Sequence, residues 1–296
     1  MLAKIGEPFD DPGWIFEIKW DGTRALTFVE GGGEWRLKNR KGTPRRDAYP
    51  ELAGLAGLPP GTIVDGEITV LVDGKPSFEG MLRREQAHGE RRVATLSRSL
   101  PAIYVVFDLL WRRGEPITDW PLADRRDALR EVLAATGGDE RIVFSDGVVG
   151  DGRATFEEAC RQELEGVVAK RLSARYLPGK RTDSWLKIKR TQIAFCVVLG
   201  FLPAGESDLR SLVIGLEDDG RLVPAGRVGS GLDDATRRDL NARLRPLVRE
   251  SPVIDVAPPG TEPVLWVEPE VFCRVKFLER TPDGQLRAPV FMGLAE

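Results

Sequence analysis

Residues 17–24 read Glu-Ile-Lys-Trp-Asp-Gly-Thr-Arg, "EIKWDGTR", and set one lysine between two apolar residues. Around it Trp14, Phe16, Ile18 and Trp20 alternate with other residues at the period of a half-buried β-strand. Lys19 has the opposite parity and is expected to project from the other face, toward a cleft. Asp21-Gly22 then ends the strand, because Asp-Gly is a turn signal and glycine tolerates positive φ. A lysine beside a hairpin turn is commonplace on an edge strand, so what this one does depends on the rest of the chain.

The chain has 296 residues, 42% hydrophobic and 30% charged, which suits one large or two smaller globular domains. No stretch approaches the length of an apolar membrane span, and "MLAKIGEPFDD" lacks the basic-then-apolar order of a secretion signal. An intracellular soluble protein is therefore expected. Cys160, Cys196 and Cys273 are far apart with no CxxC pair, which favours reduced structural thiols over a zinc site. The single histidine, His88, lies in the polar segment "QAHGE" and reads as a surface residue. Ser/His/Asp machinery and multi-histidine metal sites are excluded, so chemistry falls to Lys, Arg, Asp, Glu and backbone. The net charge is −3, and the excess of acid lies in residues 192–296. Any polyanion site must be a local basic patch.

From residue 14 to about 190 the texture is strand-rich: "WIFEIKW", "ALTFVE", "EWRLKNR", "TIVDGEITVLV", "IYVVFDLLW", "RIVFSDGVV", "EGVVAKRL" and "SWLKIK". Two helices are expected among them, over "PLADRRDALREVLAAT" and "RATFEEACRQE". This is an α+β pattern of antiparallel sheets with flanking helices. After "KRTQIAF" short strands, an Asp219-Gly220 turn and a basic helix, "DDATRRDLNARLRPLV" at 233–248, suggest a small β-barrel. The expected domains are 1–191 and 193–296.

Cations and carboxylates recur at the strand ends of the first domain: Lys19, Arg24, Arg40, Glu67, Asp108, Glu165, Lys170, Lys187 and Lys189. In "SWLKIK" the period of two puts Trp185, Lys187 and Lys189 on one face and Leu186 and Ile188 on the other. In "EGVVAK" Glu165 and Lys170 fall on opposite faces of a regular strand, so a bulge or strand end is needed to bring both into one cleft. Any one of these segments alone is more often a solvated face than a phosphate clamp.

Taken in order, K-x-D-G-x-R, N-R-x-G, D-G-E-I, F-D-x-L, E-G-V-V-A-K and W-L-K-I-K resemble the six-motif signature of covalent nucleotidyltransferases: DNA ligases, RNA ligases and messenger-RNA capping enzymes. The pattern is most similar to bacterial ATP-dependent DNA ligases, specifically the ligase module of the non-homologous end-joining ligase D group. The resemblance runs down to "FLERTPDGQLRAPVFMGL". It implies an adenylation domain followed by an OB-fold, with nucleotide in a cleft and nicked double-stranded DNA as substrate. It also implies Lys19 as the nucleophile that attacks the α-phosphate of ATP and carries AMP. A free lysine, with a pKa of about 10.4, is protonated at neutral pH, so Arg24, Lys187, Lys189 and a divalent metal are expected to supply a cationic field around it.

The resemblance carries further roles. Glu67 and Glu165 match carboxylates that engage the ribose and a catalytic Mg²⁺ or Mn²⁺. Arg24 and Arg40 match arginines that contact nucleotide sugar or the phosphates of nucleotide and DNA. Phe107 matches the aromatic that stacks on adenine, with core packing as its other reading, and Glu17 and Ile18 lie where the chain passes the adenine edge. Asp21 and Asp65 read as turn and site-shaping residues. "LPGKRT" at 177–182 lacks the spacing of a P-loop and reads as a loop entering "SWLKIK". In the basic helix Arg237, Arg238, Arg243, Arg245 and Arg249 form either a solvated surface or a DNA-backbone contact. Members of the group carry an arginine after the final Gly-Leu that orients pyrophosphate, where this sequence reads "MGLAE". Either Arg287 takes that place or lysine adenylylation is slow. Group membership suggests a cytoplasmic, nucleoid-associated monomer in DNA repair and recombination, with the end-binding Ku protein or fused polymerase and phosphoesterase modules as partners. The alternatives are an RNA ligase, a GTP-using capping-type enzyme, or a catalytically silent nucleic-acid clamp.

Overall fold

The computed structural model describes residues 1–218, 220–254, 263–281 and 283–295. It divides into two compact units, Met1–Lys189 and Arg190–Glu296. Asp219 of the expected Asp219-Gly220 turn lies outside the described residues.

The first unit holds two sheets. One runs Glu34–Asn39, Thr23–Gly31, Thr62–Val72, Ala102–Arg112 and Glu115–Pro116, with Lys75–Pro76 and Ile142–Phe144 attached. The Thr62–Val72 and Ala102–Arg112 strands are apolar along most of their length because they lie at the centre of this sheet, buried on both faces. Val64, Ile68, Tyr104 and Leu109 from them join Trp35, Leu37, Tyr49 and Leu129 in the largest core. Each fully buried Leu or Phe there contributes about 1.5–3 kcal/mol. The helix Leu122–Leu133 buries Leu122, Leu129, Val132 and Leu133, and with them Arg125 and Arg126. The latter two are tolerated because each meets a carboxylate: Arg125 grips buried Asp108 through two bonds of 2.7 and 2.8 Å.

The second sheet builds the site. Its order is Leu2–Ile5, Arg181–Lys189, Gly166–Arg171, Asp11–Ile18 and Gly147–Gly150. One face packs Trp14, Phe16, Val167, Ala169 and Ile188 into a core closed by Ala159 of the helix Gly152–Arg161. The other face aligns Glu17, Val168 and Lys187 across three neighbouring strands, with Lys170 opposite Trp185 in the next row. The alternation that signalled the strand thus separates core from site. It ends at Ile18, however, so Trp20 is not on the core side but lines the cavity that Lys19 also lines. Gly22 is not at positive φ. It is needed instead because a Cβ there would sit 2.1 Å from the Ile68 carbonyl.

The sheets are antiparallel apart from two pairings: Leu2–Ile5 with Arg181–Lys189, and Ile142–Phe144 with Ala102–Arg112. Two helices unforeseen in the sequence, Phe78–Glu85 and Glu90–Ser99, bury only Gly80, Met81, Arg84 and Leu96. The first is capped by the Ser77 side chain, which accepts from Gly80 N.

In the second unit Arg221–Val228, Leu209–Asp218, Gln192–Pro203, Phe272–Phe277 and Val290–Ala295 pair in that sequence. A parallel bridge between Ser230 and Val290 brings the path back to its start. The strands enclose Cys196, Phe201, Ile214, Val228, Cys273 and Phe291. The helix Asp234–Leu244 starts at the Asp233 cap and packs Leu240 and Leu244 onto that core. This is the small barrel expected from the sequence.

Candidate active site

Glu17, Ile18, Lys19, Arg24, Glu67, Phe107, Lys170, Trp185 and Lys187 line one cavity that opens to solvent. Lys19 follows the Asp11–Ile18 strand and is anchored by its backbone N–H to the Gly166 carbonyl at 2.9 Å. Its Nζ donates to Glu165 Oε2 at 2.5 Å, and Lys189 Nζ donates to the other oxygen of the same carboxylate at 2.6 Å. Burial alone would raise the Glu165 pKa, but the two lysines outweigh it and hold the carboxyl below its usual range. Glu165 reaches this position because it stands just before the Gly166–Arg171 strand, at a glycine with φ +135°. The strand end anticipated in "EGVVAK" brings Glu165 and Lys170 to the same site.

Lys187 lies on the face of Lys189 and Trp185, as its parity requires, and lines the cavity. Its pKa is lowered by desolvation and by the neighbouring charges of Lys189, Arg181 and Lys19. Arg24 departs from the expected free cationic field. Its guanidinium is bound to Asp65 at 2.9 and 2.5 Å, to the Met1 carbonyl at 2.5 Å and to the Tyr176 hydroxyl at 3.2 Å. Asp65 is fully buried and accepts from Tyr176 as well, at 2.8 Å, so its site-shaping reading holds and it offsets the Arg24 charge. Glu67 is half-buried with no hydrogen-bond partner among the described residues, and burial pushes its carboxyl up to about 8. Phe107 packs with Trp185 and Tyr176 and lines the cavity.

Arg40 is exposed and lines a neighbouring cavity with Lys38, Asn39 and Phe28, which meets the first at Arg24. Arg287 lies in the second unit, paired with Glu279 at the base of a hairpin.

Sequence reasoning missed the network behind the cavity. The Glu17 carboxylate accepts from Arg126 at 2.6 Å, Ser145 Oγ at 2.5 Å and Lys170 Nζ at 2.9 Å, and all four residues are buried. Lys170 lies 4.2 Å from the Phe107 ring centre and 4.7 Å from that of Trp185. Burial lowers its pKa against the pull of Glu17. The one signal in the sequence was the Arg125-Arg126 pair inside an otherwise core-facing helix. The helix expected over 233–248 ends at Leu244, and the arginines in and after it are mostly spent: Arg237 pairs with Asp234 and Asp208, Arg243 with Asp239 and Arg249 with Glu268, while Arg245 bonds the Gly205 carbonyl.

No cluster of three or more metal-ligating side chains occurs among the described residues. The donors present still fit a hard divalent cation completed by phosphate and water: Glu67 is a desolvated carboxyl without a partner, and Glu165 is a carboxylate beside it in charge range.

Residues 1–189 match the family model for the ATP dependent DNA ligase domain, and residues 205–296 match that for the ATP dependent DNA ligase C terminal region. The chain is 35% identical to the multifunctional non-homologous end joining protein LigD of Pseudomonas aeruginosa, over 100% of its own length and 35% of the relative's. It is 36% identical to DNA ligase C2 of Mycolicibacterium smegmatis, over 81% of this chain and 68% of that protein. Among solved structures, mycobacterial DNA ligase D complexed with ATP and MES aligns at 32% identity and a TM-score of 0.58, covering 100% of this chain and 94% of that one. The chain spans little more than a third of the length of the LigD relatives. With both of its units matched, the chain belongs to the ATP-dependent DNA ligase family.

Proposed function

We propose that this chain seals nicks between a 3′-hydroxyl and a 5′-phosphate in double-stranded DNA, using Lys19 as the carrier of AMP. Residues 1–191 serve as the adenylation domain and 193–296 as the oligonucleotide-binding domain. The observation that carries the reading is the placement of Lys19, its Nζ oriented by Glu165, at a cavity that Arg24, Lys170 and Lys187 also line together with Phe107 and Trp185.

In the first step Lys19 Nζ forms a P–N bond to the α-phosphorus of ATP while the bond to the bridging oxygen breaks and pyrophosphate leaves. The protons that Nζ sheds leave along its bond to Glu165 Oε2 and pass on to solvent. That carboxylate, held low by two lysines, is a weak base, so its main work is to aim the amine. Lys187 and Lys189 offset charge building on the phosphates. Phe107 and Trp185 supply the flat apolar wall for the base. Glu67, its carboxyl pushed up to about 8 by burial, is suited to donate to a ribose hydroxyl or, once ionised, to hold a cation. Mg²⁺ or Mn²⁺ held by Glu67 and Glu165 would add positive charge at the α-phosphate. AMP then passes from Lys19 to the 5′-phosphate of the nick, and the adjacent 3′-hydroxyl displaces it.

No helix of the described residues is long and apolar enough to cross a membrane. A role in end joining is supported by the similarity to the multifunctional non-homologous end joining protein LigD, and Ku or fused polymerase and phosphoesterase modules are the partners this reading adds. The test is sealing of a labelled nicked duplex in ATP. Joining that needs both the 5′-phosphate and Lys19 supports the reading. Joining only of nicked RNA, or binding without joining, would replace it with the RNA-ligase or clamp alternative.

A further inference from the structure

The barrel unit carries more acid than base, yet three of its adjacent strands, Gln192–Pro203, Phe272–Phe277 and Val290–Ala295, contain no Asp or Glu. Their inward residues Ala194, Cys196, Cys273, Val275 and Phe291 build the core. Their outward residues are apolar and cationic. Phe195 is 69% exposed, Ile193 61%, Phe272 51% and Met292 48%. Arg274 stands directly across from Phe195 and Lys276 from Ile193. Among the described residues neither Arg274 nor Lys276 has a hydrogen-bond or ion-pair partner. The contrast with the helix segment is direct, since four of the five arginines between Arg237 and Arg249 are bound to carboxylates or carbonyls of their own unit.

Large exposed aromatics on a sheet, interleaved with unpaired cations and free of carboxylates, match a polyanion that also offers flat apolar faces. Bases stacked within a duplex hide those faces, and unpaired bases present them. A second copy of this chain is the poorer occupant, because a two-fold contact would gather the cations of both copies, with no carboxylate from these strands, into one apolar interface. We propose that this three-strand face is a platform for single-stranded DNA, with Phe195 and Phe272 stacking on bases and Arg274 and Lys276 on the backbone. Only the choice of DNA over another single strand rests on the ligase reading.

The test is fluorescence anisotropy of a labelled oligothymidylate with the full chain across a salt series. Phe195→Ala and Phe272→Ala should each weaken binding at least about fivefold. Arg274→Ala with Lys276→Ala should lower the slope of log affinity against log salt by about 1.4, at about 0.7 per released counterion. Arg153→Ala, an exposed change in the first unit, should do neither. All four residues lie outside the Lys19 site, so lysyl-AMP formation should be unchanged and shows that the variants are folded. Unaltered oligothymidylate binding in the strand-face variants would overturn the proposal. So would a loss seen only with intact duplex, only with RNA, or only as loss of a sedimenting dimer. If the unaltered chain forms no lysyl-AMP, the ligase reading fails whatever the oligothymidylate result.

Discussion

Glu67 offers a prediction whose sign and size both come from its surroundings. Its carboxyl, desolvated beside Lys19 and Arg24, ionises near 8 in the folded chain against 4.5 for a free side chain. Between those values the unfolded chain has lost the proton and the folded one still holds it. Stability therefore falls as pH rises through that window and levels off above it. At about 1.4 kcal/mol per pH unit the full penalty approaches about 5 kcal/mol, and the water that still reaches this half-buried group cuts it to about 2–3 kcal/mol. Glu67→Gln copies the protonated form and removes the penalty. Urea unfolding of both proteins at about pH 5 and about pH 9 measures it. The variant should match the parent at the acidic end and exceed its stability by about 2–3 kcal/mol at the alkaline end. A stability difference that is the same at both pH values would refute the reasoning, because the carboxyl would then ionise normally in the fold.

Three further outcomes follow from the same structure. Asp108→Asn leaves the Arg125 guanidinium buried without its charge partner and should cost about 3–5 kcal/mol in urea unfolding. Gly166→Ala puts a side chain at φ +135° with its Cβ 2.1 Å from the Ile188 carbonyl. It should destabilise by more than about 1 kcal/mol and, by shifting Glu165 and the anchor of Lys19, slow lysine adenylylation more than sealing of a pre-adenylylated nick. Nicked-duplex binding should weaken steeply with added salt, and a flat response in anisotropy would argue against a nucleic-acid substrate.

What the sequence showed and what it hid divide by the range of the interaction. Parity along one strand was legible: Trp14 and Phe16 face the core, and Lys187 lies with Trp185 on the site face. Register between distant strands was not. Cys196 and Cys273 look unrelated in the sequence, yet they sit directly opposite each other in the barrel, both buried, their thiols pushed up by burial to about 11 and about 12. Arg24 looked like a free cation because its partner Asp65 belongs to another strand of the sheet. The Glu17, Lys170 and Arg126 network joins two strands and a helix, so no local pattern announces it. Trp20 shows the limit of parity itself, since the alternation continues in sequence after the strand has ended.

The central claim is that Lys19 carries AMP. Its most direct test is the intact mass of the purified protein after incubation with Mg²⁺ and, separately, ATP, GTP and NAD⁺, with Lys19→Ala in parallel. An AMP adduct from ATP alone, absent in Lys19→Ala, is the predicted result. An adduct that persists in Lys19→Ala, or one formed from GTP or NAD⁺ in place of ATP, would contradict the account.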